Sequence, residues 1–171
     1  CKCWSIGACE LEAVFDKNAY LTDENASIIV SVDNSRCSRR VDNICVQLVQ
    51  HVKLNTKDNI YHRCYIIYRK SFGDVAKKSS LKNKKLDINL EETKKHVHPY
   101  NYSGFKPLNY SDKKIAEQIQ PTTNGKCLSI NYQLEIKIYH EGKSSSIGPS
   151  CEIGLHLQPP LLPYEGKVLA P

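Results

Sequence analysis

Hydrophobic and polar positions alternate along most of the chain. Between residues 128 and 138, Leu128, Ile130, Tyr132, Leu134, Ile136 and Ile138 fall on one side, and Ser129, Asn131, Gln133, Glu135 and Lys137 fall on the other. A period of two marks a half-buried strand, because successive side chains leave opposite faces of the pleat. The same pattern runs through Cys9, Leu11, Ala13 and Phe15, and through Ile28, Val30 and Val32. From Val41 to Leu54 it places Ile44, Val46, Leu48, Val52 and Leu54 on one face. The next run, "NIYHRCYIIYRK" (59–70), follows a Lys57-Asp58-Asn59 turn, so the two long strands are predicted to form a hairpin. "KLDINL" (85–90) and "CEIGLHL" (151–157) complete seven predicted strands. Seven such strands with little helix predict an antiparallel β-sandwich. Its core is expected from Leu11, Phe15, Val30, Val32, Ile44, Val46, Leu48, Ile130, Tyr132, Leu134, Ile136, Ile153 and Leu155.

Two stretches break the alternation. "KKSSLKNKK" (77–85) holds five lysines in nine residues and is expected to be a solvated loop or a strand edge. Residues 91–119 are polar, Tyr-rich and interrupted by Pro99 and Pro107, with a short helix expected only from Asp112 to Ile119. A connection of that length is functional or disordered, and it is the expected site of first proteolysis. The Pro-rich tail from 159 to 171 ends the domain, since proline cannot sit inside a central strand.

Composition adds bounds rather than a mechanism. A chain of 171 residues fits one domain and buries a core without metals or disulfides. It has no methionine and opens on Cys1, so it is expected to be a piece of a longer protein, with residues 1–5 a remnant of a linker. No signal-peptide pattern or apolar run of transmembrane length occurs. The net charge of +6 suits an anionic surface without demanding one.

Eight cysteines could signal a disulfide framework, and Asn25, Asn101 and Asn109 head glycosylation triplets. But Cys9, Cys45, Cys64, Cys127 and Cys151 lie in strand-like runs, where an unbridged cysteine serves as a small hydrophobe. That placement favours a reduced, intracellular protein.

A search for catalytic chemistry returns little. His96 and His98 form a His-x-His pair, and Cys1 and Cys3 could supply two more ligands, but nothing sets them at structural-zinc spacing. His51, His62, His140 and His156 are scattered along strands and read as surface residues. Carboxylates fall singly on strand faces expected to be wet. There is no nucleophile elbow, phosphate-binding loop or dinucleotide fingerprint. The lysine run lacks the stacking aromatics of a nucleic-acid site, so no nucleic-acid partner is expected. Neither an enzyme nor a cofactor site is expected.

The order of motifs does point to a family. Lys17, Tyr20 and Glu24 make a Lys-x-x-Tyr-x-x-x-Glu turn, followed by a strand ending at Asn34-Ser35 and a long strand through Val41, Ile44, Val46 and Leu48. "LDINL", "QPTTNGKCLSINYQLEIKI" and "CEIGLHLQPPL" follow in sequence. This series resembles the arrestin C-terminal domain, and the Cys-rich opening is similar to the interdomain linker of α-arrestin-like proteins of single-celled eukaryotes. The turn carries Asp23-Glu24 in place of the usual Gly-Glu, and "PPLLPY" (159–164) is not the Pro-Pro-x-Tyr that recruits ubiquitin ligases.

The resemblance implies an immunoglobulin-like β-sandwich, normally the second of two such domains. It implies a non-enzymatic cytoplasmic adaptor, peripheral at membranes, working in membrane-protein trafficking or signalling. Its partners would be receptor tails or trafficking machinery and an N-terminal arrestin-like domain. A structural brick in a larger assembly is the competing reading. In some arrestins, cations of this domain bind inositol phosphates or acidic membrane. The matching positions here are Arg36, Arg39, Arg40 and Lys137, while Glu135 stands where those arrestins have a further cation.

Overall fold

The structure is a computed structural model and describes residues 7–90, 119–142 and 147–159. Residues 1–6, 91–118, 143–146 and 160–171, and with them Cys1, Cys3, His96, His98 and nearly all of the expected 91–119 insert, lie outside the described residues. Nine strands appear among those described: β1 (Glu10–Phe15), β2 (Ala19–Leu21), β3 (Asn25–Asp33), β4 (Val41–Asn55), β5 (Ile60–Ser71), β6 (Ser80–Asn89), β7 (Thr123–Asn124), β8 (Leu128–His140) and β9 (Ile147–Gln158). Seven match the strands expected from alternation. The other two, β2 and β7, are three and two residues long, too short to show a period.

The strands form two sheets. One has the order β1-β3-β6, the other β2-β9-β8-β4-β5, with β7 added beside β8. Pairing is antiparallel throughout except between β2 and β9, which run parallel. The β4–β5 hairpin forms as expected, its turn closed by the Thr56 amide donating to the Asn59 carbonyl at 2.8 Å. The lysine run is partly strand: Lys82, Lys84 and Lys85 lie exposed on β6, an edge of the smaller sheet. Lysines on an edge discourage pairing with another chain. The ladder is irregular there, and Asn83 takes a φ of 51°, a left-handed conformation that asparagine tolerates.

The core lies between the sheets and joins Ile28, Val30, Val32, Leu86 and Ile88 of one to Ile44, Val46, Leu48, Leu134, Ile136 and Ile138 of the other. Most expected core positions are there. Leu11, Phe15 and Ile153 are only half-buried, the first two because β1 is an edge strand. Leu54 and Leu128 continue the inward pattern but are 45% and 36% exposed. They pair with each other at the far end of the β4–β8 ladder.

The outer face of the larger sheet corrects the expectation of a wet surface. Every residue from Ile44 to Gln50 is buried, so the middle of β4 is enclosed on both faces. Glu135, expected to be exposed, is 3% exposed, and Gln133 is half-buried. Alternation alone does not register this, because cross-strand neighbours decide how much water reaches a strand face.

Candidate functional site

The residues that carried the family resemblance perform structural work. Glu24 accepts the Leu21 amide at 2.6 Å and pairs with Lys17 at 2.7 Å, closing the turn between β2 and β3. The Lys17 ammonium also lies 4.7 Å from the centre of the Tyr20 ring. Tyr20 is buried, packs edge-on to Phe15, and has its hydroxyl within hydrogen-bonding reach of the Asp16 carboxylate and the Ser27 carbonyl. Burial and the bond to Asp16 push its pKa up to about 12.

Tyr132 plays the matching part at the Pro-Thr-Thr turn. Its hydroxyl donates to the Gln120 carbonyl at 2.7 Å and accepts from the Gln50 side chain at 2.8 Å. Thr122 then locks the turn to β9, through amide to Leu157 carbonyl at 2.8 Å and Leu157 amide to hydroxyl at 2.9 Å.

The basic loop follows β3. Asn34 is fully buried, and its Nδ2 donates to the carbonyls of Arg39 (2.8 Å) and Ala76 (3.1 Å), which fixes the path of residues 35–40. Arg36 pairs with Glu10 of β1, and Arg40 pairs with Asp74 beyond β5. Their acidic partners therefore come from β1 and from the β5–β6 connection. Arg39 is half-buried near His140, where burial first and the Arg39 charge second hold the imidazole pKa below its ordinary value. His140 itself is 8% exposed, not the surface residue expected from sequence. Lys137 lies on β8 and is ion-paired to Glu135 at 2.6 Å.

That pair belongs to a polar layer on the outer face. Glu135 also accepts from Gln47 Nε2 of the neighbouring strand at 2.6 Å. A buried carboxylate needs both a counter-charge and donors to offset its lost hydration, and Lys137 and Gln47 supply them.

Further along the same face, β4 and β5 bring together three residues that sequence reasoning left scattered. His51 stands directly opposite Cys64, and His62 is two residues from Cys64 on the same face of β5. Cys64 Sγ is 3.2 Å from His51 Nδ1 and 3.8 Å from His62 Nε2, and the two rings stack with centroids 5.6 Å apart. Burial, and then the neighbouring His62, lower the His51 pKa, whereas burial and the Glu135 charge raise that of Cys64. The signal available in the sequence was "HRC" (62–64), which places a histidine and a cysteine on one strand face. His51 joins them only through the hairpin register.

Cys9, Cys37, Cys45, Cys64, Cys127 and Cys151 are all unbridged. No helix among the described residues is long and apolar enough to cross a membrane.

Two sheets with a mixed ladder around β9 and a shared core define an immunoglobulin-like sandwich. The chain belongs to the arrestin family: residues 5–161 match the arrestin (or S-antigen) C-terminal domain. Domains of this family are generally non-enzymatic adaptors that bind protein partners. Among solved structures, the chain is similar to Spo0M, a sporulation control protein from Bacillus subtilis, with a TM-score of 0.56 and 14% identity over 90% of this chain. At that identity the likeness concerns the fold alone. The chain spans half of the Spo0M chain. No curated protein sequence matches it.

Proposed function

We propose that this chain is the C-terminal half of a two-domain adaptor that holds membrane-protein cargo and trafficking machinery by surface contacts in the cytoplasm. The observation that carries the reading is the family match across 5–161, on a sandwich whose distinctive motif residues shape turns rather than a reaction centre. Affinity capture with the intact protein from its native cells, read by mass spectrometry, tests it. Receptors and coat or sorting components should be enriched over a control sandwich domain. Recovery of a single stoichiometric assembly without membrane proteins would favour the structural-brick reading instead.

Contact with anionic phospholipid is part of the same proposal, through Arg36, Arg39 and Arg40 with a smaller share from Lys137. The ion pairs of Arg36 and Arg40 are exposed. Exposed pairs are worth little, so a guanidinium can exchange a carboxylate for phosphate oxygens that it grips in bidentate fashion. Lys137 is less available, being partly buried against Glu135. Each basic residue near an anionic bilayer contributes on the order of 1 kcal/mol, screened by salt. Co-sedimentation with phosphoinositide vesicles at low salt should fall sharply when Arg36, Arg39 and Arg40 are all changed to Ala. Equal sedimentation by both proteins removes the lipid arm and leaves the protein-adaptor arm standing.

A further inference from the structure

We propose that His51, His62 and Cys64 form a binding site for one Zn(II) ion on the outer face of the larger sheet, with water in the fourth coordination position. The geometry is close to that of a bound ion. Zinc takes nitrogen at about 2.0–2.1 Å and thiolate at about 2.3 Å in a tetrahedral arrangement. Those lengths put ligand atoms about 3.3 Å (N to N) and about 3.6 Å (N to S) from one another. The observed sulfur-to-nitrogen distances of 3.2 and 3.8 Å bracket the second value, and all three ligand atoms lie within 4.8 Å of one another. Small side-chain rotations complete the site.

The scaffold is suited to holding it. His51 and Cys64 are a directly paired couple in the β4–β5 ladder, and His62 sits on the same face two residues along. A ligand set mounted on paired strands is largely pre-organised, so little ordering opposes binding. Two imidazoles and a thiolate are the borderline-to-soft donor set that suits zinc rather than magnesium or calcium. Carboxylates stand nearby as well: Glu152 acts electrostatically on His51, and Glu135, its charge partly offset by Lys137, acts on both His51 and Cys64. His51 and Cys64 are half-buried while His62 is exposed, which leaves an entry path and an open position on the solvent side. Binding displaces the Cys64 thiol proton to solvent, so one proton leaves as the Zn–S bond forms.

The test is a zinc titration of the metal-stripped chain in competition with a chromophoric chelator, repeated with cobalt as a spectroscopic substitute. One tight equivalent is expected, and the cobalt form should show tetrahedral visible bands with a thiolate charge-transfer band. His62→Ala should weaken zinc binding by about tenfold or more, since losing a ligand costs at least what losing a supporting outer partner does. Cys64→Ser should abolish the charge-transfer band. His62 is exposed, so its variant should fold, and thermal unfolding in chelator of both variants against the parent controls for this. His156→Ala, exposed on β9 and separated from His51 by the intervening β8, should bind as the parent does. Absence of tight binding by the parent overturns the proposal. So does unchanged binding in both the His62 and Cys64 variants, which would move the metal to other cysteines and histidines such as Cys1, Cys3, His96 and His98.

Discussion

Asn34 shows how much one side chain can decide. It is fully buried at the end of β3, and one amide nitrogen satisfies two backbone carbonyls from segments on either side of β4. Alanine would leave both carbonyls without that donor, in bonds that are part-buried. A buried acceptor left unsatisfied costs about 1–3 kcal/mol. Asn34→Ala should therefore lower unfolding stability in denaturant by about 1–3 kcal/mol. Ser35→Ala, exposed beside it, should change stability by less than about 0.5 kcal/mol. Equal effects would mean that the basic loop is not held from Asn34. At this scale the sequence was legible wherever a role depends on near neighbours. Lys17, Tyr20 and Glu24 lie within one turn and do their work there. Glu135 was not legible, because its burial depends on Gln47, 88 residues away in sequence.

Strands were legible in proportion to their length and amphipathicity. β8 was read to within two residues of its thirteen, since the long alternation from Leu128 to Ile138 leaves no competing period. β2 and β7 escaped because three and two residues carry no period at all. The inward face of β8 was assigned correctly, and the outward face was taken as wetter than it is. The His51–Cys64 proximity has the same origin as the second error. It requires the β4–β5 register, which the turn at Thr56–Asn59 sets and the alternation of either strand alone does not. Leu134 tests the facing directly. It is 0% exposed, pairs with Leu48 on one side and Ile153 on the other, and belongs to the core shared by both sheets. Leu134→Ala should cost about 2–5 kcal/mol through lost transfer energy and the cavity left behind. Gln133, whose bond to Glu152 is exposed, should lose less than about 0.5 kcal/mol on change to Ala. Chemical denaturation of the two variants gives the comparison, and similar losses would reverse the assigned face.

The two sheets are stitched together by the path of the chain. β1 lies in the smaller sheet, β2 crosses to pair with β9 in the larger one, and β3 returns to the smaller sheet beside β1. Tyr20 sits in the middle of this crossing, buried, with its ring against Phe15 and its neighbours Ala19 and Leu21 in the β9 ladder. Neither sheet can then open without disturbing the other, because opening either exposes the common core and strains the crossing. The whole sandwich should consequently unfold in one cooperative step, the behaviour usual for smaller single domains. Far-ultraviolet circular dichroism and tyrosine fluorescence should trace coincident denaturation curves. Tyr20→Ala should lower stability by about 3–5 kcal/mol, the range for removing a large buried aromatic, because it also deletes the hydroxyl contacts to Asp16 and Ser27. Folding should be slow, on the order of milliseconds to seconds, since pairings such as Ala19 with His156 close very long loops. Stopped-flow refolding of the parent chain measures that rate. Non-coincident equilibrium curves in the parent would show the sheets melting separately, and the crossing at Tyr20 would then not be what couples them.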